Sequence, residues 1–144
     1  MHTLEDSLGF QVNMTANAMK NRFNCFLKPF GLTSAQYGIM KSINETPDIS
    51  PTQLSEITFK DKTTITRMID TLVKRELLVR VPKENDRRAY KIQWTTKGEK
   101  IMQDLMPITE DLVTKIRSQF SQDELNTFLK VLQTLKQTPS LETL

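Results

Sequence analysis

Apolar residues recur at three- and four-residue steps from the start of the chain: Leu4, Leu8, Val12, Ala16, Met19, Phe23, Phe26 and Phe30. That period marks one face of an amphipathic helix of about 25 residues, broken near Pro29 and Gly31. A helix this long exceeds the globular average of about 11–12 residues and points to a bundle or a dimerisation arm. Three shorter helices follow. Thr33 and Gln36 form a capping-box pattern, with Leu32 and Tyr37 placed as a hydrophobic staple and Tyr37, Met40 and Ile43 on one face. Asn44 to Asp48 is rich in turn formers. Ser50, Pro51 and Gln53 then open a short helix over roughly 51–59, where Ile49 and Leu54 repeat the staple. Asp61 is the N-cap of a further helix over 61–75, whose apolar face is Ile65, Met68, Ile69, Leu72 and Val73.

The period then changes to two. Leu77 to Val81 reads as a strand, Pro82 to Arg88 as a charged turn, and Ala89 to Trp94 as the return strand, which predicts a hairpin with a loop of about seven residues. Thr95 caps a long helix bearing Ile101, Leu105, Ile108, Leu112, Ile116 and Phe120, and Pro107 inside it is expected to kink or interrupt it. Ser121 and Glu124 form a third capping box, followed by Leu125, Phe128, Leu129, Leu132 and Leu135. A loose tail is expected after Thr138 and Pro139. The fold class is therefore mainly α with a small β-hairpin. The first and last helices carry apolar stripes that a chain this small cannot cover by folding on itself. They are expected to pack together and bury the excess against a second copy.

Length and composition narrow the function. With 144 residues, one His and one Cys, the chain is too short for a barrel or two-domain enzyme and lacks the residues for most self-contained metal or triad chemistry. No metal, cofactor or catalytic group is expected. The opening residues hold Glu5 and Asp6 and no apolar run suited to a secretory signal. No stretch approaches a membrane span. The single Cys25 fits a reducing, cytoplasmic setting.

The formal charge of +3 hides its distribution. Residues 60–100 hold twelve Lys or Arg against six Asp or Glu, a net +6, and the remaining residues sum to −3. A local basic surface on a near-neutral body points to an anionic partner. Two short helices joined by a tight turn form a helix-turn-helix, whose second helix enters the major groove of duplex DNA. Lys62, Thr63, Thr64, Thr66 and Arg67 are then the probe set, with Arg67 able to donate twice to a guanine. Ser50 and Thr52 are placed for phosphates at the start of the preceding helix. Lys83, Arg87 and Arg88 sit on the hairpin beside the groove, and a narrow minor groove attracts Arg87 or Arg88. Asp86 is expected to hold the loop by pairing with a guanidinium. Taken singly, the threonines also fit an ordinary helix surface, Arg67 also fits an ion pair with Glu56 or Asp70, and the arginine pair also fits a solvated turn.

The ordered set of motifs resembles the MarR family of winged helix-turn-helix transcriptional regulators. The run Leu32-Thr33-Ser34-Ala35-Gln36-Tyr37 is similar to the start of that family's second helix. Asp61 through Leu72 resembles its recognition helix almost position for position. Lys74-Arg75-Glu76-Leu77-Leu78 resembles the helix exit, where glycine is commoner than Glu76. Asp86-Arg87-Arg88-Ala89 resembles the wing signature. Thr95 with Gly98 resembles the start of the next helix, with Trp94 in place of the usual leucine. The resemblance implies a winged helix-turn-helix over 32–100, a helical dimerisation region from 1–31 and 101–144, and a homodimer on a pseudo-palindromic DNA operator, most often as a repressor. It places Thr63, Thr64, Thr66 and Arg67 in the major groove, Arg88 or Arg87 in the minor groove, and Asp86 as the wing's buttress.

It also implies release by a small aromatic or phenolic effector in a crevice lined by the first, second and fifth helices, where Lys20, Arg22 and Tyr37 are the polar groups to meet an acid. Cys25, between Phe23 and Phe26, reads either as a small core residue or as a redox-responsive thiol. The alternative to a DNA-binding regulator is a winged-helix module for protein–protein interaction.

Overall fold

The computed structural model describes residues 1–58 and 60–138, with the Arg87 side chain outside the description. The expected tail beyond Thr138 and the end of the third helix at Phe59 also lie outside the described residues. In chain order the elements are α1 (Leu8–Leu27), α2 (Ser34–Glu45), α3 (Pro51–Thr58), α4 (Lys62–Lys74), β1 (Leu78–Lys83), β2 (Asp86–Trp94), α5 (Thr96–Arg117) and α6 (Gln122–Gln137). The fold is mainly α-helical with one antiparallel hairpin wing. The chain forms two compact units, Met1–Gln103 and Asp104–Leu144.

The first unit opens on a 3-10 turn, Leu4–Asp6, rather than on one continuous helix. The Thr3 amide donates to Asp6 Oδ2 at 2.7 Å, which closes this turn by itself. Ser7 then caps α1 afresh, its hydroxyl accepting from the Phe10 amide at 3.3 Å. α1 ends in a second 3-10 turn at Lys28–Phe30, with Pro29 inside it and Gly31 at φ 72°. Thr33 and Gln36 form the reciprocal capping box at the start of α2, at 3.1 and 3.2 Å. Asn24 of α1 takes a further orphan donor there, the Ser34 amide, at 2.7 Å, so the α1–α2 corner has its exposed amides answered by side chains.

The core of this unit follows the apolar stripes. Tyr37, Ile39, Met40 and Ile43 of α2, Leu54 of α3, and Leu78 and Ile92 of the hairpin are buried. Ile65, Ile69 and Leu72 of α4 are fully buried, each contributing about 1.5–3 kcal/mol of transfer free energy. Their spacing commits one face of α4 to the core and leaves Thr63, Thr66 and Arg67 on the other. Glu76 accounts for the way α4 stops. The Leu77 amide donates to the Leu72 carbonyl at 3.0 Å and the Glu76 amide to Val73 at 2.9 Å, a Schellman closure with Glu76 in the left-handed conformation at φ 61°.

The hairpin is tighter than its sequence implied. β1 runs on to Lys83 and β2 begins at Asp86, leaving a turn of Glu84 and Asn85. Leu78 pairs with Trp94 and Pro82 with Tyr90, but Lys83 pairs with Asp86, so the ladder is irregular between Pro82 and Lys83. That irregularity absorbs residues of β2 that a regular alternation would have put in the loop.

At the root of the wing, the Thr95 amide donates to the Leu77 carbonyl at 3.1 Å. The Thr95 hydroxyl donates to the Glu76 carbonyl at 2.5 Å and accepts from the Gly98 amide at 3.0 Å. A Cβ on Gly98 would lie 2.2 Å from the Leu77 oxygen, so only glycine fits there. The Trp94 indole donates to the Met40 carbonyl at 2.8 Å, fastening β2 to α2.

α5 continues through Pro107 as a single helix. The carbonyl that loses its donor belongs to Gln103, an exposed residue, where water can replace the missing bond. In the second unit, Ser121 and Glu124 close α6 with a capping box at 2.9 and 3.1 Å. Phe120, Phe128, Leu129, Val131 and Leu135 of this unit are exposed.

Candidate nucleic-acid interface

The α3–α4 pair is built by local side-chain bonds. Ser50 and Gln53 exchange hydrogen bonds at 2.8 and 3.1 Å, fixing the start of α3. Ser50 is half-buried and its oxygen is occupied in this cap, whereas Thr52 is exposed. In the turn, the Ser55 hydroxyl donates to the Lys60 carbonyl and the Thr58 hydroxyl to the Leu54 carbonyl. Asp61 caps α4, accepting from the Thr64 amide at 2.6 Å. The Thr64 amide, then the Thr64 hydroxyl, hold the Asp61 carboxyl below its ordinary value, with smaller help from Arg67 and Lys60.

The expected probe set separates into two groups. Lys62, Thr63, Thr66 and Arg67 are exposed and, with Asp70, line an open concavity of about 430 Å³. Thr64 is half-buried beside the cap. Arg67 pairs with neither Glu56 nor Asp70 and makes no ion pair among the described residues, so its donors face solvent. Asp70 is instead bonded to Arg80 of β1, whose guanidinium also lies over the Tyr90 ring, 5.4 Å from its centre. Burial opposes the Arg80 charge, and the Asp70 and Tyr90 partners more than offset it, so its proton is held more tightly than usual. Sequence reasoning did not reach this contact, because Arg80 lies within a strand and its partner on a separate helix.

In the wing, Asp86 Oδ1 accepts from the Arg88 backbone amide at 2.9 Å, a local bond that ties the carboxylate to the turn. Lys83 is half-buried and Arg88 exposed, while the Arg87 side chain lies outside the described residues.

The residues expected to meet an effector are not alike. Tyr37 is buried with its ring edge-on to Phe23 at 5.3 Å, whereas Lys20 and Arg22 are exposed on α1. Cys25 is exposed rather than part of the core. Among the described residues there is no cluster of three or more His, Cys, Asp or Glu able to hold a metal ion, and no helix long and apolar enough to cross a membrane.

Comparison with known proteins decides the family. The model of the MarR family matches residues 32–90, from the start of α2 to the wing. The chain is 30% identical over 110 residues to the HTH-type transcriptional regulator BilQ of Clostridioides difficile, covering 76% of this chain and 74% of that protein. The chain belongs to the MarR family. Its members are transcriptional regulators, not enzymes. It is also 28% identical over 127 residues to the multiple antibiotic resistance protein MarR of Escherichia coli, with 88% of each chain covered. A crystal structure of a cysteine-to-serine variant of that protein, complexed with operator DNA, superposes with a TM-score of 0.78 at 28% identity, covering 89% of this chain and 92% of that one. The winged helix-turn-helix of this MarR-family chain thus holds an exposed, cation-bearing face on its second helix.

Proposed function

We propose that this chain binds a pseudo-palindromic DNA operator as a homodimer and represses transcription there. In this reading α4 enters the major groove and Arg88 of the wing enters the adjacent minor groove. The observation that carries it is the face of Lys62, Thr63, Thr66 and Arg67: exposed, gathered on one side of α4, and with the Arg67 guanidinium in no ion pair among the described residues. Arg67 then donates to a guanine, the threonines meet bases or phosphates, and Ser50 and Thr52 lie at the phosphates beside α3. The similarity to a protein crystallised on operator DNA supports the same orientation.

The dimer is supported by uncovered apolar surface. Leu4, Leu8 and Met19 of the first unit are each more than half exposed, as is Phe128 of the second. Surface of this kind at both ends of the chain calls for burial against another copy. Two-fold symmetry then sets the half-sites about 34–36 Å apart.

The test is an anisotropy titration with a duplex recovered from a random-sequence library. Arg67→Ala and Arg88→Ala should each weaken binding about 10- to 100-fold, the range for losing a base-edge or groove arginine, with the dimer intact by sedimentation. Unchanged affinity in both variants would remove α4 and the wing from the interface. A protein–protein module would show no salt-dependent duplex affinity at all.

Release by a small aromatic acid is the second part of the proposal. Phe23, Phe26, Phe30 and Tyr37 form a chain of ring contacts at 5.3–6.3 Å, and Lys20 and Arg22 are the cations of α1, the helix that carries Phe23 and Phe26. Benzoate should dissociate the complex in the wild type and less so after Lys20→Ala and Arg22→Ala together. Equal release from both would place the effector elsewhere.

A further inference from the structure

Asp70 lies one helical turn beyond Arg67 and shares its concavity with Lys62, Thr66 and Arg67. It is the acidic member of a surface assigned to duplex DNA, and a bare carboxylate there would be repelled by the phosphates that flank the groove. Its partner comes from the wing: the Arg80 guanidinium donates to Asp70 Oδ1. Arg80 pairs with Ile92 across the hairpin, and Tyr90, two residues before Ile92, supplies the ring beneath its guanidinium. One side chain therefore joins α4, β1 and β2. The Arg80 and Asp70 side chains are 32% and 48% exposed, so the pair lies at the surface between helix and wing rather than in the core.

We propose that Asp70 and Arg80 are positioning residues for duplex reading, a role that rests on the assignment of α4 and the wing given above. Their ion pair, seated on Tyr90, holds the wing in one pose relative to α4, so that major- and minor-groove contacts form together. It also neutralises the Asp70 carboxylate beside the phosphates. The two roles separate by sequence selectivity. Pose matters for a duplex that satisfies both grooves at once. Charge alone matters for any duplex.

The experiment measures affinity for two probes, a duplex selected from a random-sequence library and an unselected duplex of equal length, across a salt series. Asp70→Asn should bind the unselected duplex as well as or better than the wild type and the selected duplex about tenfold more weakly, since a negative charge is lost along with the clamp. Arg80→Ala should weaken both, because it leaves Asp70 bare. Adding Asp70→Asn to Arg80→Ala should restore the unselected duplex without restoring the selected one, so the two losses will not add. Arg80→Lys keeps the charge but not the planar fork, and serves if Arg80→Ala does not fold. Thermal unfolding midpoints establish that each variant is folded. A selectivity ratio within twofold of the wild type in folded variants overturns the proposal, as do independent, additive losses. If the wild type binds neither duplex in a salt-dependent way, the duplex-reading assignment itself fails and this proposal falls with it.

Discussion

Replacing Gly98 with alanine sets backbone packing against helix propensity, with opposite signs. Gly98 lies in the first turn of α5, where alanine is favoured by up to about 1 kcal/mol. The structure opposes that gain. An added Cβ would lie 2.2 Å from the Leu77 carbonyl oxygen, 3.1 Å from its carbon and 3.2 Å from Met40 Cε. Restoring ordinary contact requires the Leu77 carbonyl to retreat by about 1 Å. This is a backbone group at the root of β1, and it also accepts the Thr95 amide at 3.1 Å. Overpacking of this kind costs about 1–3 kcal/mol, and weakening the Thr95 bond adds roughly 0.5–1.5 kcal/mol. After the propensity gain, a net loss of about 1–3 kcal/mol remains. For a chain of this length that lowers the midpoint by roughly 3–10 °C. Gly38 in α2 is the internal control: a Cβ added there would meet nothing within 4 Å, so Gly38→Ala should stabilise by about 0.5–1 kcal/mol. Circular-dichroism melts of both variants at one fixed protein concentration decide the matter. A raised midpoint for Gly98→Ala, or shifts of the same sign for both variants, would refute the packing argument.

Other substitutions test the ends of α4. Glu76→Gly should raise stability by about 0.5–1 kcal/mol in denaturant titrations, because the left-handed φ of 61° disfavours a side chain; an unchanged midpoint would mean that Glu76 makes compensating contacts. Asp61→Asn retains an acceptor for the Thr64 amide but removes a titrating group. The folded Asp61 carboxyl lies below its ordinary value, so its contribution is present above the unfolded value, near pH 4, and is lost as pH falls through the folded one. The variant should therefore melt close to the wild type at pH 7 and lose stability less steeply below about pH 4; identical acid profiles would exclude that role. Trp94→Phe removes the donor to the Met40 carbonyl at 2.8 Å, and a loss of about 1–3 kcal/mol in the melt is expected, with no loss indicating that water replaces the indole.

The helix boundaries were readable because the bonds that set them span three residues. Thr33 with Gln36, Ser50 with Gln53, and Ser121 with Glu124 all close as their spacing implies. The face of α4 was readable for the same local reason, since Ile65, Ile69 and Leu72 fix which residues point outward. What depends on two distant segments was not. The hairpin's short turn requires the irregular pairing of Lys83 with Asp86, the Asp70–Arg80 bond joins helix to strand, and the clash that reserves position 98 for glycine comes from a carbonyl twenty-one residues earlier. Pro107 shows the reverse limit: its residue type implied a kink or an interruption, and the helix runs on uninterrupted, with the carbonyl that loses its donor on the exposed Gln103.

Trp94 is the single tryptophan of the chain, and its indole sits where the last residue of β2 is fastened to α2. The protein therefore carries its own optical probe at the base of the wing. Intrinsic fluorescence excited at the indole reports on this junction alone, free of overlap from other tryptophans. A stopped-flow trace of that emission on mixing with duplex would time any movement of the wing base without an attached dye.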